Sequence, residues 1–329
     1  MSHSNISIFV SHIGCPNQCS FCNQKHITGQ AIAPTANDVD NAVNIAVNSE
    51  NYNPNSCEIA FFGGSFTAIE KDYMLSLLTT AHKQIKLGNV CGIRISTRPD
   101  CINAEILEIL KKYGVTAIEL GAQSMCDGVL KANKRGHTAE DVLKACELIK
   151  SFGFELGLQM MTGLYCSDEN KDIETAKKFV ELKPDTVRIY PTIVLKNTDL
   201  ERLYLNGEYS PQSLEDAVQL CEKLNQIFIN AKIRVIRVGL HSIDMSAYVA
   251  GPWHPSFREL CDSYYYRNLI SKSTHSGNEY NIFVNSAELS KTIGQKRSNV
   301  LYFQAKNIKI NVFSNNAISK RDILIKEVK

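Results

Sequence analysis

Residues 14–23 read Gly14-Cys15-Pro16-Asn17-Gln18-Cys19-Ser20-Phe21-Cys22-Asn23. Three cysteines stand here with three and then two residues between them, shortly after an apolar run at residues 6–10. Thiolates at this tight spacing can be drawn onto one metal centre by a single loop. The stretch therefore predicts a metal site at the end of a β-strand.

The cysteine pattern leaves the kind of metal centre open. Three thiolates on a four-iron cluster leave one iron without a protein ligand, and that iron is available for chemistry. A structural zinc site is the alternative, because His26 follows Cys22 at a spacing that would complete a tetrahedral set. A chance grouping of cysteines is the third interpretation. A zinc ion with four protein ligands would have no open coordination position, and it would not explain the motifs that follow in the sequence.

Length and composition indicate a large globular protein. The chain has 329 residues and 44% hydrophobic content, enough to bury one large core and a small additional unit. With 36 Lys and Arg against 34 Asp and Glu, the net charge of +2 gives no electrostatic argument for any class of partner. No apolar run is long enough for a membrane span and no signal peptide is evident, so we expect a cytoplasmic protein without a membrane partner.

Strand and helix patterns alternate over the first part of the chain. Capping boxes at Thr35 and Thr138 each begin a helix, and Gly153 ends the second of these helices. Six strands that are each followed by a helix require parallel pairing and right-handed crossovers, which fit a partial barrel or an open doubly wound sheet. The expected strands are at residues 6–10, 57–62, 92–96, 116–120, 155–160 and 186–190.

The C-terminal part of the chain reads as a smaller unit. We expect a main domain over residues 1–240, and an extension with a small α+β appendage over residues 241–329. The elements expected in this part and just before it are strands at residues 233–238, 280–284, 300–303 and 308–313, and helices at residues 256–270 and 287–293.

The cysteine loop resembles the signature of the radical S-adenosylmethionine (SAM) superfamily, CxxxCxxC with an aromatic residue before the last cysteine. The resemblance implies a partial (β/α)6 TIM-like barrel, with its active site at the carboxyl ends of the strands. It implies that Cys15, Cys19 and Cys22 hold a 4Fe-4S cluster whose fourth iron is chelated by SAM. Phe21 would face the adenine, unless it is an ordinary core aromatic.

The same resemblance implies the chemistry. An external low-potential donor, such as flavodoxin or ferredoxin, would supply an electron that cleaves SAM to a 5′-deoxyadenosyl radical. The radical would abstract hydrogen from the substrate, while the protein positions the reactants and excludes water.

The resemblance also assigns cofactor-binding residues to the strand ends. Ser65 stands where many members of the family have Glu after two glycines, and Ser96 stands at a ribose-binding position. His137 would lie near the ribose. Lys150 would pair with the methionine carboxylate, unless it is only a cation near a helix C-terminus. The residues so implied are Gly63, Gly64, Ser65, Ser96, Gln123, His137, Lys150 and Gln159.

Two charged residues at strand ends need partners. Glu119 ends an apolar strand, where an unpaired carboxylate is costly, and Arg135 is the nearest cation in sequence. We therefore expect Glu119 to pair with Arg135. Arg98 could bind substrate or pair with Asp100, and the sequence leaves both interpretations open.

Further motifs at residues 187–191, 196–201, 207–209 and 250–260 resemble the branch of the superfamily that contains the catalytic subunit of Elongator, a tRNA-modifying enzyme. We expect neither its acetyltransferase domain nor its N-terminal tRNA-binding extension in this chain. RNA or tRNA modification is then the leading expectation, and oxidation of a small metabolite or porphyrin is the alternative. The alternative of another class is a zinc-stabilised, non-catalytic RNA-binding protein in which His26 closes the site.

Overall fold

The computed structural model of the protein describes residues 3–10, 15, 17–23, 33–241 and 243–328. The main body is built on strands β1 Ser4–Val10, β2 Cys57–Gly63, β3 Gly92–Thr97, β4 Val115–Gln123, β5 Glu155–Thr162, β6 Thr186–Pro191, β7 Val194–Leu195, β8 Arg234–Val238 and β9 Tyr248–Ala250. Seven of these strands form one parallel sheet in the order β1-β2-β3-β4-β5-β6-β8, and β7 pairs with β9 separately. The expected strand at residues 233–238 thus extends the sheet at its edge.

Helices cover the outer face of the sheet. They are α1 Ala36–Val47, α2 Lys71–Lys86, α3 Ala104–Lys112, α4 Asp127–Ala132, α5 Ala139–Ser151, α6 Glu169–Leu182, α7 Asp199–Leu205, α8 Leu214–Asn230 and α9 Phe257–Ser271. The capping boxes predicted at Thr35 and Thr138 are both present, and Gly153 adopts a positive φ of 78° after α5. No helix in the described part of the chain is long and apolar enough to cross a membrane.

The inner face of the sheet is concave and polar. Arg94 on β3 reaches Glu155 on β5 at 3.2 Å, so side chains from strands two apart meet across this face. Apolar residues such as Ile95, Ile118 and Leu158 are instead buried in the core under the helices. The sheet is therefore a curled half-barrel, which confirms the partial (β/α)6 barrel rather than the open doubly wound sheet.

The C-terminal appendage is a small α+β unit, as expected. Its elements are β10 Glu279–Val284, α10 Leu289–Ile293, α11 Ser298–Ala305, β11 Lys309–Ser314 and β12 Leu324–Glu327. β10 pairs in parallel with β11 and antiparallel with β12, and the buried side chains of Ile282 and Phe303 belong to its own core.

The strand expected at residues 300–303 is wrong, because these residues lie inside α11. A four-residue apolar run fits one turn of a buried helix as well as a short strand. α9 contributes to two cores, since Cys261 packs with the main body and Ile270 with the appendage. The domain boundary at residue 240 stays a prediction.

Candidate active site

The described residues enclose a cavity of about 590 Å³ at the carboxyl edge of the barrel. Its volume is within the usual range for a cofactor or small-molecule site. The loop after β1 forms one wall, the ends of β2 to β5 form most of the rest, and Arg135 and Asn197 complete the lining. The cavity brings together most of the residues that the sequence assigned to the site, namely Cys15, Cys19, Cys22, Gly63, Gly64, Ser65, Ser96, Gln123 and Gln159.

The cysteine loop is fixed by hydrogen bonds to distant parts of the chain. The Ser20 amide donates to the Asn133 carbonyl at 3.1 Å, and the Ser20 hydroxyl donates to the Asn133 side chain at 2.7 Å. The Ser20 carbonyl accepts from the Leu200 amide at 2.8 Å. These bonds anchor the segment between Cys19 and Cys22 to the residue that follows α4 and to the first turn of α7.

Arg135 contacts a cysteine sulfur directly. Its Nη1 donates to the Cys19 Sγ at 3.0 Å, and its Nη2 donates to the Gly121 carbonyl. The Arg135 carbonyl in turn accepts from Arg98, whose guanidinium forms two 2.9 Å bonds to Asp100. This contact places a buried positive charge directly beside the Cys19 sulfur. The pairing of Arg98 with Asp100 is thus the interpretation that the structure supports.

The donor set fits an iron–sulfur cluster better than a single metal ion. Among the described residues, no three Cys, His, Asp or Glu side chains converge as ligands of one ion. Each thiolate of a four-iron cluster binds a different iron, so its ligands surround the cluster instead of a point. The three cysteines line one cavity. His26, the ligand of the zinc alternative, lies outside the described residues.

The backbone approaches the cavity closely at Gly63. This residue has a φ of 107°, and a Cβ there would lie 3.2 Å from the Val10 carbonyl oxygen. The Gly64 amide donates to the same carbonyl at 2.8 Å. Ser65 is buried, with its hydroxyl 3.9 Å from the Cys15 sulfur. The end of β2 therefore packs against the end of β1, beside the cysteine loop.

Gln123 occupies a strained position at the end of β4. Its φ is 66°, in the left-handed region that side chains other than Gly rarely adopt, and the strand is irregular between Leu120 and Gln123. Its carboxamide oxygen is buried and has no hydrogen-bond partner within the described part of the chain. A strained residue with an unused acceptor in a cavity wall is typical of a binding site.

A buried ion network lies beneath the cavity. Arg188 on β6 forms two hydrogen bonds to Glu119, of 2.6 Å and 2.9 Å, and Arg94 approaches the same carboxylate at 3.5 Å. Gln159 also donates to Glu119, at 3.2 Å. The expected pairing of Glu119 with Arg135 is wrong, because Arg135 is turned toward Cys19. Arg188 was the missed partner; its inward position on an apolar strand was the available signal.

Three assigned residues do not line the cavity. Phe21 packs instead against Val194 and Leu200 in a small apolar cluster. His137 is buried behind the β4 end, with Nε2 3.2 Å from the Ala122 carbonyl oxygen. Burial and then the nearby Arg135 charge lower the pKa of His137 to about 4, so it is neutral near pH 7.

Lys150 is exposed at the opposite end of the barrel. It lies in the last turn of α5, and its amino group donates to the carbonyl of Leu182 at the end of α6. Helices of a β/α barrel run antiparallel to the strands, so their last turns lie at the amino edge of the sheet. The role expected for Lys150 at the methionine carboxylate is therefore corrected: it caps a neighbouring helix.

Comparisons with known proteins agree with this geometry. The protein-family model described as Radical SAM superfamily matches residues 10–180, which is just over half of the chain. The model described as Radical_SAM C-terminal domain matches residues 184–267. The chain is 34% identical over 187 residues to a tRNA uridine(34) acetyltransferase of Methanocaldococcus jannaschii, covering 50% of this chain and 34% of that protein. It is 30% identical over 224 residues to human Elongator complex protein 3, covering 62% of this chain and 40% of that protein.

Solved structures show the same fold. The archaeal Methanocaldococcus infernus Elp3 with an N-terminal deletion superposes with a TM-score of 0.67 at 23% identity, covering 84% of this chain and 64% of that one. Streptococcus suis SuiB superposes with a TM-score of 0.54 at 14% identity, covering 98% of this chain and 59% of that one. The chain spans about a third to two fifths of the length of the two curated relatives. The chain belongs to the radical SAM superfamily of enzymes and is homologous to the radical SAM region of these two relatives.

Proposed function

We propose that this enzyme reductively cleaves SAM at a 4Fe-4S cluster held by Cys15, Cys19 and Cys22, and abstracts hydrogen from an RNA substrate, with tRNA as the leading candidate. The observation that carries the proposal is the arrangement of the three cysteine sulfurs on one cavity wall, with Arg135 donating to the Cys19 sulfur. The cluster and SAM, when bound, supply one-electron chemistry that produces a carbon radical.

The chain's own residues have distinct roles in this proposal. The three cysteines hold the cluster, and Arg135 stabilises the negative charge on Cys19. Gly63 and Gly64 let the backbone come close to SAM. Ser65, Ser96, Gln123 and Gln159 offer hydroxyl and amide groups to its polar atoms, and the buried Glu119–Arg188 pair holds Gln159 in place.

The choice of tRNA rests on the relatives. One is named a tRNA uridine(34) acetyltransferase, and the matched part of this chain corresponds to only a portion of it. Acetyl transfer is therefore not part of the proposal. The proposal also includes an external low-potential electron donor, such as flavodoxin or ferredoxin, and a cytoplasmic site of action.

Cleavage of SAM tests the proposed chemistry. The protein is reconstituted anaerobically with iron and sulfide, reduced, and assayed for 5′-deoxyadenosine. We expect the wild type to form 5′-deoxyadenosine and Cys19→Ala to form none. Cys91→Ala is the matched control, because Cys91 is exposed, precedes β3 and contacts the Cys57 carbonyl at the far edge of the sheet. Equal cleavage by the Cys19 and Cys91 variants would reject the proposed ligation.

The substrate is tested separately. Nucleosides of tRNA from cells with and without the gene are compared by mass spectrometry, and we expect one modified nucleoside to be lost without the gene. Unchanged tRNA together with accumulation of a small metabolite or porphyrin precursor would favour the alternative substrate class. A colourless protein containing one zinc ion would favour the zinc-stabilised alternative.

A further inference from the structure

Arg188 and Arg237 form a group of cationic residues at the barrel mouth, on the side away from the three cysteines. β6 and β8 are neighbouring parallel strands, and Arg188 and Arg237 are direct partners in their register. Partners in register project from the same face of a sheet. Arg188 reaches Glu119 inside the barrel, so Arg237 also projects from the inner face. Its guanidinium donates to the Gly239 and Leu240 carbonyls at 3.2 Å, which places it at the carboxyl edge.

A carboxylate neutralises the charge of one of the two arginines but not that of the other. Glu119 neutralises Arg188 through two hydrogen bonds. Arg237 forms no ion pair with any carboxylate in the described part of the chain, and the remaining positions contain no Asp or Glu. It is half-buried, and burial lowers its pKa, with the nearby Arg188 charge acting in the same direction. Two guanidinium groups side by side repel one another, so this arrangement favours an added anion.

Two further hydrogen-bonding side chains accompany the arginines. The Tyr190 hydroxyl lies 3.5 Å from Nη1 of Arg188, two residues further along β6. His241 follows β8 and is solvent-exposed. Its ring carries at least one N–H donor in either protonation state. Arg237, Tyr190 and His241 together present donors without a carboxylate among them.

The Arg188–Arg237 pair is connected to the cofactor cavity through the carboxylate of Glu119. Gln159 lines the cavity and donates to Glu119, which also binds Arg188. An anion held at Arg237 would thus sit beside the cavity, on the far side from the cysteines. A substrate anchored there would have part of its structure within reach of the cavity.

We propose that Arg237, with Tyr190 and His241, forms a binding subsite for a phosphate group of the RNA substrate. This inference rests on the proposed function for the choice of RNA. Guanidinium, phenol and imidazole donors are the groups that bind phosphate oxygens. Each phosphate neutralised by a cation releases counterions, so the subsite makes a measurable contribution to the salt dependence of binding.

The first experiment measures binding of an unmodified tRNA transcript to the full-length protein at several salt concentrations. We expect Arg237→Gln to weaken binding roughly fivefold to tenfold, and to reduce the slope of log K against log salt by about 0.7 to 0.9. Arg237→Lys keeps the charge and should retain the wild-type slope. Arg234→Gln is the matched control, because this exposed residue begins the same strand and pairs with Glu155.

Three outcomes overturn the inference. One is unchanged affinity and slope in Arg237→Gln. Another is equal losses in Arg237→Gln and Arg234→Gln. The third is a loss in Arg237→Lys as large as that in Arg237→Gln, which would indicate that Arg237 only orders the loop at Gly239 and Leu240. Thermal unfolding of each variant shows whether it is folded.

The second experiment separates this inference from the choice of RNA. Inorganic phosphate is titrated into wild type and Arg237→Gln, and binding is followed by the rise in unfolding temperature. We expect a concentration-dependent rise in the wild type that is largely lost in the variant. If wild type binds phosphate through Arg237 but does not bind tRNA, the RNA proposal fails and the anion site stands. If it binds neither, the site itself is rejected.

Discussion

Cys19, one of the three proposed cluster ligands, is buried beside a fixed positive charge. The residue is only 7% exposed. Arg135 supplies that charge at 3.0 Å and is itself held by the Gly121 carbonyl. The sequence placed Arg135 near Glu119 because the two are close along the chain. The barrel instead places Arg188 there, since inward positions of β4 and β6 face one another.

Arg135→Gln should lower the reduction potential of the reconstituted cluster. Reduction adds negative charge, and the guanidinium at Cys19 stabilises the reduced state. We expect a decrease of about 60 mV, which corresponds to about 1.4 kcal/mol in a one-electron couple. A redox titration followed by visible absorption measures it. Arg202→Gln is the control, because Arg202 is a largely exposed cation near the same loop. Equal potentials in the two variants would contradict the assigned role.

Glu119→Gln should destabilise the fold strongly. The substitution leaves the buried guanidinium groups of Arg188 and Arg94 without their shared carboxylate. Loss of one partner from a buried ion pair costs about 3 to 5 kcal/mol. Urea unfolding at equilibrium measures the loss. Glu105→Gln, which removes a solvent-exposed pair with Lys71, should cost far less. Similar losses in both variants would show that the interior network is not needed for stability.

At the scale of elements, the turn between α4 and α5 supports the cysteine loop. Gly136 has a φ of 76°, and a Cβ there would collide with the Asn17 side chain. Asn17 lies between Cys15 and Cys19, so a methyl group at Gly136 would displace a side chain of the cysteine loop. Gly153 provides a matched comparison, because its φ is 78° and nothing lies within 4 Å of its Cβ position.

Gly136→Ala should therefore reduce cluster incorporation. Both alanine variants bear the cost of a left-handed backbone, about 1 to 2 kcal/mol, but only Gly136→Ala displaces Asn17 and the cysteine loop. We expect the iron and sulfide content after reconstitution to fall to less than about half of the wild-type value in Gly136→Ala, while Gly153→Ala retains the wild-type content. Equal content in both variants would show that the packing of Asn17 does not support the loop.

Local sequence signals predicted the helices and strands well. They predicted the spatial arrangement of these elements less well. The capping boxes at Thr35 and Thr138 are interactions within four residues, so the sequence contains them completely. The position of Lys150 depends on the direction in which α5 runs relative to the strands, and the resemblance assigned it a role at the wrong edge. Residues 300–303 were too few to distinguish a strand from α11.

At the scale of the whole molecule, the sequence predicted the alternation of strands and helices but not the curvature of the sheet. Periodicity is the same in an open sheet and in a half-barrel, and the difference is visible only in cross-sheet contacts such as that of Arg94 with Glu155. The grouping of the cysteines with Gly63, Ser96 and Gln159 in one cavity follows from that curvature. The sequence analysis did not predict that Arg237 lies beside Arg188 without an ion-pair partner of its own. That arrangement depends on the pairing of β8 with β6.

The most direct test of the account is electron paramagnetic resonance of the reduced, reconstituted protein before and after SAM is added. If three cysteines hold the cluster as proposed, one iron would remain open and SAM would bind to the cluster itself. We predict a reduced 4Fe-4S signal whose g values shift on addition of SAM, and the absence of this signal in Cys19→Ala. A cluster signal that SAM leaves unchanged, or a protein that binds zinc and shows no cluster signal, would contradict the account.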